Sequence, residues 1–200
     1  MAALGASLNW CRKLLGKKMN FESLAALAEE SEPGAGRLLF LPYMSGELQP
    51  INDGYARGML FGLSLSTERK HIVRAIMEGT AFAIAHNLSI IESLGLPVTE
   101  IRAVGEPTRS DLWCQIMADI IGRPLHVLSN DGGAPLGNAL LAAKGIGLIQ
   151  DSAEVALQVA KIERSFEPNP GLFDQYQALF DVYKQLYPQL KEQYAQLSRS

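Results

Sequence analysis

The chain has 200 residues, 48% of them hydrophobic and 20% charged, which is enough to bury one good core. Its formal net charge is −3, so no basic footprint points to nucleic acid. No apolar run reaches the roughly eighteen residues of a membrane span, so no membrane partner is expected and the cytoplasm is the expected compartment.

The first eighteen residues carry their basic side chains late, which does not fit a targeting peptide. Asn9 to Leu15 and Phe21 to Glu30 read as two short amphipathic helices. The cluster Glu32-Pro33-Gly34-Ala35-Gly36 reads as a turn. Leu38 to Tyr43 is a short apolar run that predicts a buried strand. Ser45 to Arg57 carries Gly, Pro, Asn and Asp and predicts a loop, followed by a strand from Met59 to Ser64. Thr67 to Leu94 predicts a long helix with Ile72, Val73, Ile76, Met77, Ile84, Leu88, Ile91 and Leu94 on one face. Gly95 ends it and Pro97 follows.

Beyond Pro97 strand and helix alternate. Glu100 to Val104 and Pro124 to Leu128 predict strands, and Arg109 to Ile121 and Leu136 to Ile146 predict helices. Tyr176, Leu179, Tyr183, Leu186 and Leu190 recur at helical spacing in a final helix, with Pro188 as an expected kink. Cys11 and Cys114 fall within apolar helical patterns and are expected as buried thiols, not as a disulfide.

The most informative stretch is Gly58 to Glu78, GMLFGLSLSTERKHIVRAIME. It reads as a strand, a turn and the opening of the long helix. Gly58, Leu60, Gly62, Leu63, His71, Ile72, Ala75, Ile76, Met77 and Glu78 match the signature near the C-terminal domain of the FGGY carbohydrate kinases. The resemblance extends from Gly5-Ala6-Ser7-Leu8-Asn9-Trp10 through Pro42-Tyr43-Met44-Ser45-Gly46-Glu47 to the Tyr-rich final helix. It implies an α/β fold, the C-terminal half of an actin-like, ribonuclease-H-like ATPase fold, with a sheet flanked by helices. Residues 1–200 would form one such domain, with 165–200 as its helical tail. The Pro42 to Glu47 segment and the tail look more like the pentulose kinases, such as xylulose kinase, than like glycerol kinase.

The family transfers the γ-phosphate of ATP to a sugar hydroxyl, with Mg2+ in the full enzyme. Such a transfer is mostly positioning and charge neutralisation. In the family the catalytic aspartate, the sugar contacts and the phosphate loops lie mainly in an N-terminal half. The chain shows no phosphate-loop glycine cluster ahead of Gly5. Asp53, Asp111, Asp119 and Asp131 read as loop or cap residues, so no catalytic base is assigned here. The chain is therefore expected to be a C-terminal domain, from a truncated gene or a split protein. It would bind ATP or ADP, meet sugar only with an N-terminal domain, and be inactive alone. The alternative is a non-catalytic domain of the same fold, a partner-binding or weak nucleotide-binding module.

Three segments are expected at the nucleotide by resemblance. The first is Gly5 and Asn9. The second is Gly105, Glu106 and Ser110, at the end of a strand and the start of a helix, where ligands sit in such sheets. The third is Gly133 and Gly137, with close packing against the nucleotide or plain helix packing both open. Glu106 stands where relatives carry glycine. A like charge about 6 Å away would repel by roughly 3 kcal/mol at an effective dielectric near 20. Pro107 removes an N–H donor, and Thr108 with Asp111 can form a capping box.

Among the remaining candidates, His71, His86 and His126 are too dispersed for a metal site. His71 reads as structural and Trp113 as core. Glu78 is expected to bond the loop around Gly46. Phe173, Tyr176, Phe180, Tyr183, Tyr187 and Tyr194 suggest an apolar patch, so a homodimer through the final helix or the Ser45 to Arg57 loop is expected.

Overall fold

A computed structural model of the protein describes residues 4–16, 19–129 and 133–198. The chain opens with α1 (Leu4–Leu15) and α2 (Phe21–Glu29), the latter capped by Asn20, whose side chain accepts the Ser23 N–H at 2.7 Å. Strands β1 (Leu39–Leu41) and β2 (Met59–Phe61) pair antiparallel, with Leu39 opposite Phe61 and Leu41 opposite Met59. Both are shorter than the apolar runs predict. β1 is buried throughout, whereas β2 is only partly covered. At the turn after β2, Gly62 has φ +97° and a side chain there would stand 2.8 Å from the Arg37 carbonyl oxygen, so only glycine fits.

Helix α3 (Arg69–Ser93) is the centre of the molecule. Its N-terminus is tied by His71, whose Nδ1 accepts the Glu68 N–H at 2.9 Å, the structural role expected of that histidine. From Val73 to Ala83 every residue is buried, not one face alone. Small residues at Ala75, Gly79, Ala81 and Ala83 let α1, α2, β1 and later helices pack on all sides. Ile91 and Leu94, expected on the buried face, are exposed at the far end.

Next come β3 (Ile101–Ala103), α4 (Asp111–Ile121), β4 (Leu125–Leu128), α5 (Gly133–Gly145), α6 (Ser152–Val159), β5 (Ile162–Phe166) and α7 (Phe173–Leu197). Helix α4 ends at Gly122. β3 and β4 are parallel, and β5 adds antiparallel to β4, giving the order β3-β4-β5. The single sheet expected from alternation is therefore two small sheets flanked by helices. Elements α6 and β5 have no counterpart among the predicted elements. α7 continues through Pro188.

The central polar contact is buried. Glu78 and Arg74 are 1% and 6% exposed, and Glu78 Oε1 accepts Arg74 Nε at 2.8 Å. The same oxygen accepts the Gly34 N–H and the Tyr176 hydroxyl, both at 2.9 Å. Arg74 Nη1 donates to the Ser31 carbonyl at 2.9 Å. Burial pushes the Glu78 carboxyl up, against the pull of Arg74. The expected partner loop at Gly46 is thus replaced by the Gly34 turn. That turn adjoins the first half of α3 and is the nearer backbone donor.

The aromatic side of α7 faces inward. Phe82 stacks on Phe180 with ring centroids 6.0 Å apart, and the Tyr43 and Tyr183 hydroxyls meet at 3.3 Å. Tyr187 donates its hydroxyl to Asp53 at 2.8 Å. Of the aromatic residues expected to form an open patch only Phe173 is exposed, so the final helix offers no such surface. Its rings pack on Phe82 and His86 of α3 and on Tyr43 just after β1. Cys11 and Cys114 are buried free thiols, as expected, and burial pushes each up to about 11.

Candidate nucleotide cleft

A cleft of about 740 Å³ opens between α1, α2 and the start of α4. Its walls are mainly apolar, with Leu8, Phe21, Ala25, Met77, Pro107 and Trp113 among the residues lining it. The polar lining includes Ser110, Arg109, Asp111 and Glu22. Trp113 is 4% exposed, and its Nε1 donates to Thr80 Oγ1 at 3.1 Å. It belongs to the core, as expected, and its edge also closes the cleft.

The connection from β3 to α4 forms the cleft floor. A 3₁₀ turn runs from Glu106 to Arg109, entered through Gly105. The Gly105 carbonyl accepts the Thr108 hydroxyl at 2.7 Å and the Thr108 N–H at 3.1 Å. Ser110 then caps α4, its Oγ accepting the Trp113 N–H at 3.3 Å. This replaces the capping box expected from Thr108 and Asp111. Thr108 is turned back onto its own turn, and Asp111 pairs with Arg164. Arg109, which the sequence did not single out, also borders the cleft.

Of the residues expected at the nucleotide, the cleft brings Gly5 and Ser110 together. Gly5 has open space where a Cβ would sit. Asn9, one turn along α1, does not line the cleft. Its Oδ1 accepts Arg12 Nη2 at 3.0 Å and Nε at 3.3 Å, while the Arg12 guanidinium lies 5.5 Å from the Phe21 ring centre. Gly105 enters the turn that forms the floor. The Glu106 side chain lies outside the described residues, as do Asp131 and Gly132. Gly133 opens α5, and α5 packs mainly on α6 instead of bordering the cleft. Gly137 is exposed, with nothing within 4 Å of a Cβ there, so the reading of it as a helix-packing position does not hold.

Other expected candidates are committed elsewhere. Asp53 accepts the Tyr187 hydroxyl and the Tyr55 N–H. Asp119 accepts from Gln115 and from the Asn169 N–H. Among the described residues, no group of three His, Cys, Asp or Glu side chains is arranged to hold a metal ion. None of their helices is long and apolar enough to cross a membrane.

Comparison with known proteins identifies the family. The family profile described as the FGGY family of carbohydrate kinases, C-terminal domain, matches residues 1–146. The xylulose kinase of Staphylococcus epidermidis is 32% identical over 175 residues, covering 88% of this chain and 35% of that protein. The glycerol kinase of Dechloromonas aromatica is 35% identical over 166 residues, covering 82% of this chain and 33% of that protein. The crystal structure of ligand-bound xylulose kinase from Lactobacillus acidophilus superposes with a TM-score of 0.87 at 31% identity. It covers 96% of this chain and 39% of that one. The chain thus spans about a third of the length of the curated relatives it matches. Its α/β fold is that of one part of these actin-like kinases, and it belongs to the FGGY family of carbohydrate kinases, matching their C-terminal domain.

Proposed function

We propose that this chain supplies the nucleotide side of an ATP-dependent carbohydrate kinase. The observation that carries the reading is the cleft at the β3–α4 connection, bordered by Gly5 and Ser110 in a kinase-family chain. Its volume of about 740 Å³ suits an adenosine-sized ligand. Its position beyond the C-terminal end of β3 is where parallel strands in α/β sheets present ligands. Leu8, Phe21 and Pro107 offer apolar cover for a purine, and the Ser110 hydroxyl keeps a donor although its oxygen caps α4.

The acceptor is a sugar hydroxyl. Xylulose or another pentulose is the reading favoured by the xylulose kinase relatives. Among the described residues, Asp53, Asp111 and Asp119 are each engaged by other side chains or backbone groups, which supports placing the base and the phosphate cradle in a partner domain. Mg2+ would be held by the nucleotide phosphates and the partner domain. The compartment we assign is the cytoplasm. A homodimer, if formed, uses the Ser45 to Arg57 loop, where Leu48 and Tyr55 are exposed.

Calorimetry with adenosine and ADP tests the cleft. The expected affinity is on the order of a millimolar. Binding with amide shift changes around Gly5 and Ser110 supports it. No binding at ten times that concentration, with those amides unmoved, overturns it and favours the non-catalytic reading.

A further inference from the structure

The cleft floor is held from beyond the residues 1–146 that the C-terminal-domain profile matches. Arg164 lies on β5, beyond residue 146. Its Nη2 donates to the Thr108 carbonyl at 2.6 Å, and its Nη1 pairs with the Asp111 carboxylate. The Cys114 thiol also points to the Thr108 carbonyl, at 3.7 Å. One planar guanidinium therefore ties the end of the 3₁₀ turn to the first residue of α4. A lysine, with a single point charge, cannot span both.

The charge matters as well as the fork. Asp111 lines the cleft together with Glu22 and Glu29. Without a cation beside it, Asp111 would present a bare carboxylate to an anionic ligand. Its side chain is 73% exposed, so solvent screens this effect without abolishing it. A second staple lies further along α4, away from the cleft. There Gln115 Nε2 donates to the Glu167 carbonyl at 2.8 Å, and the Asn169 N–H donates to Asp119 at 2.8 Å.

We propose that Arg164 is a positioning residue for the nucleotide cleft: it fixes the Thr108 to Asp111 floor and neutralises Asp111 at the cleft wall. The inference rests on the reading that the cleft takes an adenine nucleotide. It gives β5, beyond the residues that the domain profile matches, a direct part in that site.

The test uses the whole chain with Arg164→Ala, Arg164→Lys, the Arg164→Ala/Asp111→Asn double variant, and Gln115→Ala as a control on the second staple. Adenosine and ADP are titrated by calorimetry, and amide hydrogen exchange is followed over residues 108–114. In Arg164→Ala, adenosine binding should weaken about threefold and ADP binding about tenfold. Exchange at Thr108 and Cys114 should quicken, because their N–H groups bond within the clamped segment. Arg164→Lys should restore the wild-type ADP-to-adenosine ratio while exchange stays fast. The double variant should recover the ratio too. Gln115→Ala should change neither. Equal weakening of both ligands, or the same response to Gln115→Ala, makes Arg164 a fold residue only and overturns the proposal. If wild-type chain binds neither ligand, the nucleotide reading fails, and unchanged exchange in Arg164→Ala would overturn the positioning role independently.

Discussion

Gly79 on α3 lies so close to β1 that a Cβ there would stand 2.2 Å from the carbonyl oxygen of Phe40. The contact is with backbone, which cannot rotate aside. The helix and strand meet here because Gly79 has no side chain. Replacing glycine by alanine inside a helix ordinarily gains about 1 kcal/mol. Here the clash must win, since overpacking a core costs about 1–3 kcal/mol even where side chains can adjust. Gly79→Ala should therefore lower stability by about 2 kcal/mol or more. Urea unfolding measures it, and a stabilised variant would show that α3 and β1 can separate freely.

The buried cluster around Glu78 should respond unequally to its members. Tyr176→Phe removes one donor from Oε1 but leaves Arg74 in place. A cost of about 1–2 kcal/mol is expected. Arg74→Met strips the cation from a carboxylate that is 1% exposed. Its expected cost is about 3–5 kcal/mol. Chemical denaturation of both variants ranks them, and the reverse order would mean that Glu78 is held neutral by its surroundings.

His86 should give acid sensitivity. Burial lowers its proton affinity, and the Lys184 ammonium adds to the effect. The Phe180 ring packs edge-on against it, centroids 6.3 Å apart. The unfolded chain therefore takes a proton near the ordinary histidine value of ~6.5, before the folded chain does. Stability from neutral His86 is full above that value and is lost as pH falls from ~6.5 through the lower folded value. His86→Gln should flatten this slope. Parallel unfolding series at about pH 7.5 and about pH 5.5 decide it, and identical slopes in both proteins would exclude the histidine.

Two outcomes are expected for activity. The chain alone should release no ADP above background with any pentulose or polyol, because Asp53, Asp111 and Asp119 are engaged elsewhere. Glu106→Gly should tighten ADP, since one negative charge leaves the entry of the turn; the gain is at most the roughly 3 kcal/mol of a bare pair about 6 Å apart. Turnover in a coupled assay would reopen the search for a base. Unchanged ADP affinity would mean that Glu106 does not face the phosphates.

Much of this molecule is legible from the order of its residues. The Gly58 to Glu78 stretch works as a signature because its parts are locked by sterics and by burial. Gly62 is confined by the Arg37 carbonyl, His71 closes the helix start, and Glu78 is fixed by three donors. Helices α3 and α4 announce themselves through long apolar periodicity. What the order of residues hides depends on pairing over distance. β5 carries Glu163, Arg164 and Ser165 between its two apolar ends, and reads as a strand only once β4 lies beside it. α6 is eight residues long and buries none of them. The cleft was half legible. Gly5 and Ser110 border the cleft, but no local pattern links Arg164 to Asp111, 53 residues away.

The inward-facing rings of α7 set a boundary question of their own. Phe180, Tyr183 and Tyr187 complete the packing of Phe82 and Tyr43, yet all three lie beyond residue 146, where the match to the C-terminal-domain profile stops. β5 does the same for the open edge of β4. The stretch that the profile matches is thus smaller than the stretch that closes the core. Changes that strip these rings would leave the profile match at residues 1–146 intact while opening the core around Phe82 and Tyr43.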